Sequence, residues 1–480
     1  MSFRSGGRLG RAALLASAAL LAAPAAADDL REALVMAYNT NPTLQAARAS
    51  QRALDETVPL ERSDGLPAAS ASATYTEILK STDPSGPGPS RTFGAGVSLG
   101  VPIYSGGAVK NSVAAAKIRV EAGQADLRAT ESAVFSQVVA AYMDVIQNQA
   151  IVGLQRKNVS VLQVNLEATR DRFEIGDLTR TDVAQSQARL SLARGTARAA
   201  ESNLSGSRER YIQLVGKPPV DLQPPPPLPG LPASAGEAVA IALDSNPDLI
   251  AARERSKASE YDVKVAGSTR LPRVEVFTGG NYSDYLNSAA PVLANSTTGA
   301  TAGVRATIPL FQGGRPAALR RQAQERAAAT FENEIFIERD VIASVRAAYS
   351  SWQAASEIIV STGLAVDAAT LSLEGVRAEN SVGNRTILDI LNAEQELLNA
   401  QVQLVTARRN AYVAGFTLLA AMGKAEADDL GLDGGPLYDP ALNYNRVKGK
   451  WFDWDDQPQP PVRSTRTVDT PTQDGSIPKE

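Results

Sequence analysis

The sequence predicts an α+β membrane protein in which short β-strands pair at one end of very long helices. Three features of the 480-residue chain indicate this fold class. Two stretches alternate residue by residue between apolar and small or polar side chains. Long segments contain no proline, and the whole pattern occurs twice along the chain. Each copy is therefore expected to contain a pair of strands followed by a pair of long helices.

The first 27 residues are predicted to be a secretory signal peptide. Three arginines precede an apolar stretch over residues 12–23, which is too short to cross a bilayer. Ala25 and Ala27 fit a cleavage site, so the mature chain would begin near Asp28. No later segment is expected to be apolar enough for a membrane-spanning helix, so a membrane role would require β-strands.

The composition excludes several classes of function. The chain contains no cysteine and no histidine, which removes disulfides, thiol chemistry, the commonest metal ligand and the commonest general base. A net charge of −4 makes a poor nucleic-acid binder. No nucleophile–base pair, metal-binding cluster or phosphate-binding loop is visible in the sequence. We therefore expect no catalysis, no cofactor, no metal site and no nucleic-acid partner.

The chain contains an internal duplication. Residues 32–48, EALVMAYNTNPTLQAAR, match residues 237–253, EAVAIALDSNPDLIAAR, 205 positions later. Residues 101–107, VPIYSGG, match residues 308–314, IPLFQGG, at a separation of 207. A nearly constant separation over many landmarks indicates two copies of one structural unit.

The duplication divides the chain into segments. Repeat 1 is expected over residues 28–216 and repeat 2 over residues 235–424, each with a helix, a β-hairpin and a long helical hairpin. A stiff proline-rich linker over residues 217–234 joins them. Residues 425–480 form a C-terminal segment, and Gln457 to Glu480 are predicted to be a disordered tail because they are polar and proline-rich.

Two segments have the pattern of membrane β-strands. Residues 93–101 alternate between apolar side chains and glycine or serine, and residues 300–308 repeat the alternation. Residues 68–76 and 273–282 are their expected hairpin partners, which gives four strands per chain. An amphipathic strand on a soluble sheet is the alternative, and the high glycine content weighs against it.

Four strands are too few for a closed barrel. A lipid-exposed sheet must close to remove its edges, and barrels need at least about eight strands. The barrel is therefore expected to be shared between chains. The strand pattern by itself leaves two, three or four protomers open.

The helices are predicted to be far longer than a globular domain allows. Residues 107–175 would span about 100 Å as one helix. An apolar seam with alternating spacings of four and three residues runs from Val134 to Phe173, and again from Ile390 to Ala421. A sustained seven-residue period predicts left-handed coiled-coil packing.

Each helical hairpin is predicted to turn at a glycine that is followed by a capping sequence. Gly176 and Gly383 suit the left-handed conformation that ends a helix. The spacing of a threonine and an aspartate three residues apart predicts a capping box at the start of each returning helix. The two pairs are Thr179 with Asp182, and Thr386 with Asp389.

These patterns resemble the TolC family of outer-membrane factors over roughly residues 30 to 425. Residues 381–393, SVGNRTILDILNA, are similar to the family's second-hairpin motif, and residues 308–314 to its strand-to-helix corner. The resemblance implies a homotrimer whose shared twelve-stranded β-barrel lies in the outer membrane of a Gram-negative bacterium. A long coiled-coil helical tunnel would continue the barrel into the periplasm, where the C-terminal segment would also lie.

The resemblance also implies a gate at the periplasmic helix tips. In that family an arginine after the second-hairpin glycine holds the closed tip by pairing with an aspartate of the first hairpin. By motif position these residues are Arg385 and Asp182. Asp389 matches an aspartate ring that narrows the entrance. Two positions depart from the family: Asn392 replaces a second constriction aspartate, and Asn380 replaces a bracing tyrosine.

Simpler interpretations of the tip residues stand beside the gate. Asp182 and Asp389 could be helix-capping residues only, although both roles are compatible. Arg385 could be an ordinary surface charge on a solvated turn. Trp451 and Trp454 could anchor the tail at a membrane interface, but a local aromatic cluster is the interpretation we favour from the sequence.

The function implied by the resemblance is an exit duct in the outer membrane, serving a tripartite efflux pump, a type I secretion system or both. The expected partners are outer-membrane lipid, a periplasmic adaptor of the membrane fusion type and an inner-membrane transporter of the ABC or RND type. A periplasmic coiled-coil scaffold or tether without a pore is the alternative function.

Overall fold

The computed structural model describes residues 29–80, 90–286, 295–432, 437–458 and 460–477. The predicted signal peptide lies outside these residues. The described chain consists of one four-stranded sheet, two very long helical hairpins and short helices that connect them.

The first half of the chain contains five helices and two strands. Their bounds are α1 Leu30–Thr40, α2 Pro42–Asp55, α3 Thr57–Ser63, β1 Ala68–Glu77, β2 Arg91–Tyr104, α4 Ala108–Glu174 and α5 Arg180–Val215. The second half follows nearly the same order. Its elements are α6 Ala235–Ser245, α7 Pro247–Ser268, β3 Arg273–Leu286, β4 Ser296–Thr307, α8 Arg315–Ser381, α9 Ile387–Ala421 and α10 Pro440–Val447.

The four strands form one antiparallel sheet in the order β1-β2-β3-β4. Each half of the chain supplies one hairpin, and the pairing of β2 with β3 joins the two halves. The register shifts between Pro102 and Tyr104, where β2 meets the helical part of the chain. Within the described chain β1 and β4 each pair on one side only. The prediction of four strands in two hairpins is confirmed.

The two longest helices, α4 and α8, contain 67 residues each and are about 100 Å long. Each begins after a glycine in the left-handed conformation, at Gly107 with φ of 81° and at Gly314 with φ of 82°. The predicted seam of α4 is largely buried. Its buried members are Val134, Val138, Ala141, Val145, Val152, Leu162, Leu166 and Thr169.

The largest hydrophobic core lies between the sheet and the helix tips, where the short helices pack on the long ones. Phe135, Tyr142 and Tyr211 are fully buried there. Leu44 and Leu249, which are equivalent in the two repeats, are also fully buried. Burial of these side chains anchors the short helices to the middle of the long hairpins.

The repeated Asn-Pro sequence makes the same contact in each half. Asn41 caps α2 by accepting backbone hydrogen bonds, and its amide donates to the Leu214 carbonyl over 2.9 Å. Asn246 caps α7 and donates to the Ala421 carbonyl over 2.9 Å. The duplicated motif therefore ties each pair of short helices to the end of a returning long helix.

One long helix is more apolar than the sequence analysis expected. Within the described residues, α8 is the helix that is long and apolar enough to cross a membrane by length and composition. This corrects the expectation that no segment after the signal peptide reaches that apolar content. The apolar stretch is not buried within the chain. Ile358, Val360, Leu364 and Leu371 are exposed, whereas Leu373 is buried against α9, so α8 carries apolar residues on more than one side.

The tail that was predicted to be disordered lies along α5 over residues 465–477. Ser205 donates to the Gln473 carbonyl over 2.7 Å, and Arg208 donates to the Asp474 carbonyl over 2.7 Å. Ile477 packs against the main core. Composition alone missed this contact because polar tail residues bond to a specific helix surface far away in sequence.

Residues just after α9 are also docked, through a buried carboxylate. Ala427 is buried in the core, and its N–H donates to Glu131 Oε1 over 2.6 Å. Nearby, Arg128 pairs with Glu426 at 2.8 Å. Burial is the main reason that the pKa of Glu131 is raised to about 7; the Ala427 N–H opposes this shift, and the charge of Glu426 adds a smaller contribution to it.

Replacing Gly475 by alanine is expected to release the tail. A methyl group at this position would fall on the backbone carbonyl of Glu201, which α5 holds in place. Hydrogen exchange of residues 470–477 should become faster in the Gly475→Ala protein. Gly449→Ala is the matched control, since a methyl group there meets nothing within 4 Å. Unchanged protection of the tail would contradict the docked position.

Glu131 is expected to make stability depend on pH. In the folded chain the Glu131 carboxyl stays protonated up to about pH 7. In the unfolded chain it loses its proton near pH 4.5. Stability should therefore fall as the pH rises between these values, by no more than about 3 kcal/mol. Glu131→Gln should flatten this slope, measured as the unfolding temperature by circular dichroism. Asp428→Asn, an exposed change in the same segment, should leave the slope intact.

Candidate functional site at the helical hairpin tips

The first hairpin turns at Gly176, which has φ of 83°. Here α4 ends with a hydrogen bond from the Asp177 N–H to the Arg172 carbonyl, 2.9 Å long. The side chains of the same two residues pair over 2.7 Å. A side chain at position 176 would have room, so the positive φ is what favours glycine.

The second hairpin turns in the same way at Gly383, with φ of 85°. The Asn384 N–H donates to the Glu379 carbonyl over 2.9 Å, and the Gly383 N–H donates to the Asn380 carbonyl over 3.0 Å. The predicted left-handed glycines are thus confirmed at both turns, which places the two tips at the far ends of α4 and α8.

Both returning helices begin with the predicted capping box. The Thr179 N–H donates to Asp182 Oδ2 over 2.9 Å, and the Asp182 N–H donates back to Thr179 Oγ1 over 3.3 Å. Thr386 and Asp389 make the same two bonds at the same distances. Hydrogen bonds from the threonine hydroxyl and then from its backbone N–H lower the pKa of each aspartate.

Arg385 is paired within its own hairpin. Its Nε lies 2.7 Å from Glu379 Oε2, and this hydrogen bond raises the arginine pKa. Asn380 donates to the Arg385 carbonyl over 2.7 Å, so it braces the turn through the backbone. In the part of the chain that the structure describes, Arg385 does not pair with Asp182.

Asn392 links the second hairpin to the first. Its Oδ1 accepts a hydrogen bond from Arg189 Nη2 over 2.9 Å, which joins α9 to α5. Leu391, the preceding residue, packs with Leu190 and Leu162 of the first hairpin. The tip of the second hairpin is therefore attached to the first hairpin by one apolar and one polar contact.

The sequence analysis missed a buried carboxylate near the tips. Glu394 is only 6% exposed, and it accepts from Arg377 over 2.9 Å and from Asn165 over 3.1 Å. These bonds join α9, α8 and α4. A buried carboxylate needs such partners because its charge has lost most of its water. The sequence does contain a signal for this burial, because Glu394 follows Ile390 by four residues and therefore lies on the side of α9 that carries the apolar seam.

The tips offer no evident metal site. Among the residues described, no group of three metal-ligating side chains comes together. What the tip arrangement provides is a set of charged and amide side chains around two rigid turns. Such a set can form ion pairs and hydrogen bonds with a neighbouring surface.

Comparisons with known proteins agree with this architecture. A family model described as outer membrane efflux protein matches residues 33–217 and 238–424. The chain is 34% identical to the outer membrane efflux protein BepC of Brucella suis over 453 residues, 94% of this chain and 97% of that protein. It is 27% identical to the outer membrane protein TolC of Vibrio cholerae, over 87% of this chain and 96% of that protein.

Solved structures share the fold. The CmeC outer membrane channel of Campylobacter jejuni superposes with a TM-score of 0.73 at 17% identity, covering 88% of this chain and 89% of that one. The MtrE outer membrane channel of Neisseria gonorrhoeae, in its open state, gives a TM-score of 0.67 at 19% identity, with 82% and 88% covered.

The capping boxes are expected to weaken in acid. The pKa of Asp182 lies below the unfolded value of about 3.9, so the stabilisation is complete above that value and is lost as the pH falls below it. Protection of the first-turn amides of α5 against hydrogen exchange should drop below about pH 4. Thr179→Ala should lower this protection at every pH, by about 1 kcal/mol.

Asp182→Asn provides the control for this experiment. Its amide oxygen can still accept from Thr179, but it does not titrate. The variant should keep most of the protection and lose the acid dependence. An acid dependence that persists in the variant would show that another group is responsible.

Proposed function

This chain belongs to the outer membrane efflux protein family, and we propose that it is a protomer of an export channel. The channel lies in the outer membrane and extends into the periplasm, as the exit duct of a tripartite efflux pump or a type I secretion system. The observation that carries this function is a four-stranded sheet that is continuous with helices of 67 residues. Among the residues that the structure describes, both edge strands of this sheet are unpaired on their outer sides.

Copies of the chain complete the barrel. The free edges of β1 and β4 are mutually complementary antiparallel edges, and each would pair with the opposite edge of a neighbour. Three copies supply twelve strands, above the minimum of about eight for a closed membrane barrel. The homotrimer that the family resemblance implies is the assembly we propose. A scaffold or tether without a pore gives no reason for two long unpaired edges.

The helices of the trimer continue the barrel as a tube. The exposed apolar side chains of α8 would be covered where the tube closes between copies. This assignment is supported by their position on a coiled-coil helix, since such a helix buries apolar seams against its neighbours. Val360, Leu364 and Leu371 share one face of α8 and are the central members of this surface.

The tips form the gate of the tube. Arg385 of one copy pairs with Asp182 of a neighbour when the gate is closed. Both threonine bonds at Asp182 go to Oδ2, so a further bond through Oδ1 is compatible with capping. Arg385 uses Nε for Glu379, which leaves its two terminal nitrogens for a second partner.

Asp389 narrows the entrance as a ring of three carboxylates. With Asn392 in place of a second aspartate, the ring carries fewer negative charges and holds cations less strongly. Asn380 braces its own turn rather than a neighbouring helix. The absence of the bracing tyrosine favours a closed state that is easier to open.

The channel is passive and acts with partners. A periplasmic adaptor and an inner-membrane transporter of the ABC or RND type engage the tips and drive them apart. The similarity to BepC supports an efflux role. The alkaline protease secretion protein AprF of Pseudomonas aeruginosa, 26% identical over 62% of each chain, supports secretion as the second role. No catalytic step is assigned to this chain.

Reconstituted protein is expected to conduct ions across planar bilayers, with a low closed-state conductance. Asp182→Ala and Arg385→Ser should each raise that conductance, because each removes one partner of the proposed lock. The measurement is single-channel current at fixed voltage. A protein that forms no pore under any condition would exclude the duct, and the tether would then be the better function.

Two control variants separate the lock from local stability. Thr179→Ala removes the threonine hydroxyl from the capping box but keeps the Asp182 carboxylate, so its closed-state conductance should stay low. Asp177→Ala removes an exposed acid that pairs within its own turn, with Arg172, and should also leave the current low. Currents that rise equally in all four variants would assign the effect to fraying of the tip.

A further inference from the structure

The C-terminal helix runs toward the sheet. Along α10, Asn443 donates to Asp55 over 2.7 Å, and the later residue Lys448 accepts from Arg62 over 3.3 Å. Residues 443–448 therefore run beside residues 55–62 in the same direction, from α2 toward β1. Because Arg62 precedes Ala68, the first residue of β1, by only six positions, α10 ends close to the edge of the sheet.

A turn rich in aromatic residues follows α10 directly. Trp451 is 73% exposed, Phe452 63% and Trp454 82%. The Asp455 N–H donates to the Phe452 carbonyl over 3.2 Å, and Lys450 pairs with Asp455 at 2.9 Å. Trp451 and Phe452 meet edge to face at 6.5 Å. Three large aromatic side chains are thus held on a defined turn, which we call the aromatic turn, and all three are exposed among the residues that the structure describes.

The chain then returns over a long distance. Thr465 lies near the start of α2, at the end away from the sheet. A methyl group added at Gly216 would be 2.7 Å from the Thr465 hydroxyl. From Trp454 to Thr465 is eleven residues, which span at most about 40 Å when extended. The helices α2 and α3 together are about 33 Å long. Eleven residues are enough to cover this length, so the aromatic turn can lie at the sheet-proximal end of the tail while Thr465 lies beside Gly216.

Other exposed aromatic and apolar residues lie at the same level. Tyr104 ends β2 and is 48% exposed, and its repeat equivalent Phe311 is 88% exposed after β4. Leu310 beside it is 93% exposed. Aromatic side chains gather where a membrane protein crosses the boundary between lipid and water, since they bury a ring and keep a polar group hydrated.

We propose that the aromatic turn inserts into the phospholipid head-group region of the periplasmic leaflet and anchors the tail there. The inference rests on the outer-membrane placement of the channel. Lipid is the occupant because the turn lies at the level where the sheet begins, its residues are of the types that partition into this interface, and the Lys450–Asp455 pair neutralises one of its acids. The chain then continues from this anchor to the tail residues that are docked along α5.

Tryptophan fluorescence of the full-length trimer tests the anchor. The chain has three tryptophans, so Trp352→Phe leaves emission from Trp451 and Trp454 alone. We expect this variant, in vesicles of phosphatidylethanolamine and phosphatidylglycerol, to show blue-shifted emission compared with the protein in detergent. Lipids brominated near the head group should quench the emission more strongly than lipids brominated deep in the acyl chain.

A double variant, Trp451→Phe with Trp454→Phe, is the matched control. Its remaining Trp352 packs edge to face on Tyr349 at 5.8 Å, within the helical part of the molecule. Brominated lipid should leave that emission unchanged. Quenching that is absent in the first variant would overturn the anchor. Conductance of the same preparations reports the duct separately, so the two proposals fail independently.

Discussion

Backbone hydrogen bonding along the edges of one small sheet is the constraint on which the whole molecule depends. Four antiparallel strands leave the outer sides of β1 and β4 unpaired within the chain. In lipid those groups have no water to replace the missing partners, so the sheet is stable only when other copies close it. Assembly is therefore a condition of insertion, and it brings the long helices of each copy into one tube.

Because of the duplication, each copy of the chain contains the same arrangement of short and long helices twice. In both, an asparagine before a proline caps a short helix and bonds to the end of a long returning helix, through Asn41 and Asn246. This contact keeps the middle of the molecule fixed in both repeats. The versions differ at the tips, where Arg385 occupies the position that Leu178 holds in the first repeat. Opening of the duct would therefore involve the helix tips, while the middle of the molecule keeps its contacts.

At the tips, helix capping and the proposed lock would use different atoms of the same side chains. The capping boxes of Asp182 and Asp389 engage one carboxylate oxygen each, and Arg385 engages one of its three nitrogens. Near these capping boxes, the buried Glu394 of α9 bonds to side chains of α8 and α4 and so holds the three helices together. A lock built on these residues can open without unfolding the turns that carry it.

The sequence by itself determined the features that follow from local rules. Strand alternation, the seam of α4, the left-handed Gly176 and Gly383 and both capping boxes depend on residues a few positions apart, so periodicity and spacing were enough. Only the tertiary structure decided the features made by distant residues. The docked tail bonds to Ser205, Glu394 takes partners from two other helices, and α8 leaves apolar residues uncovered. Composition made the tail resemble a disordered segment, because its stability comes from the helix surface that it meets.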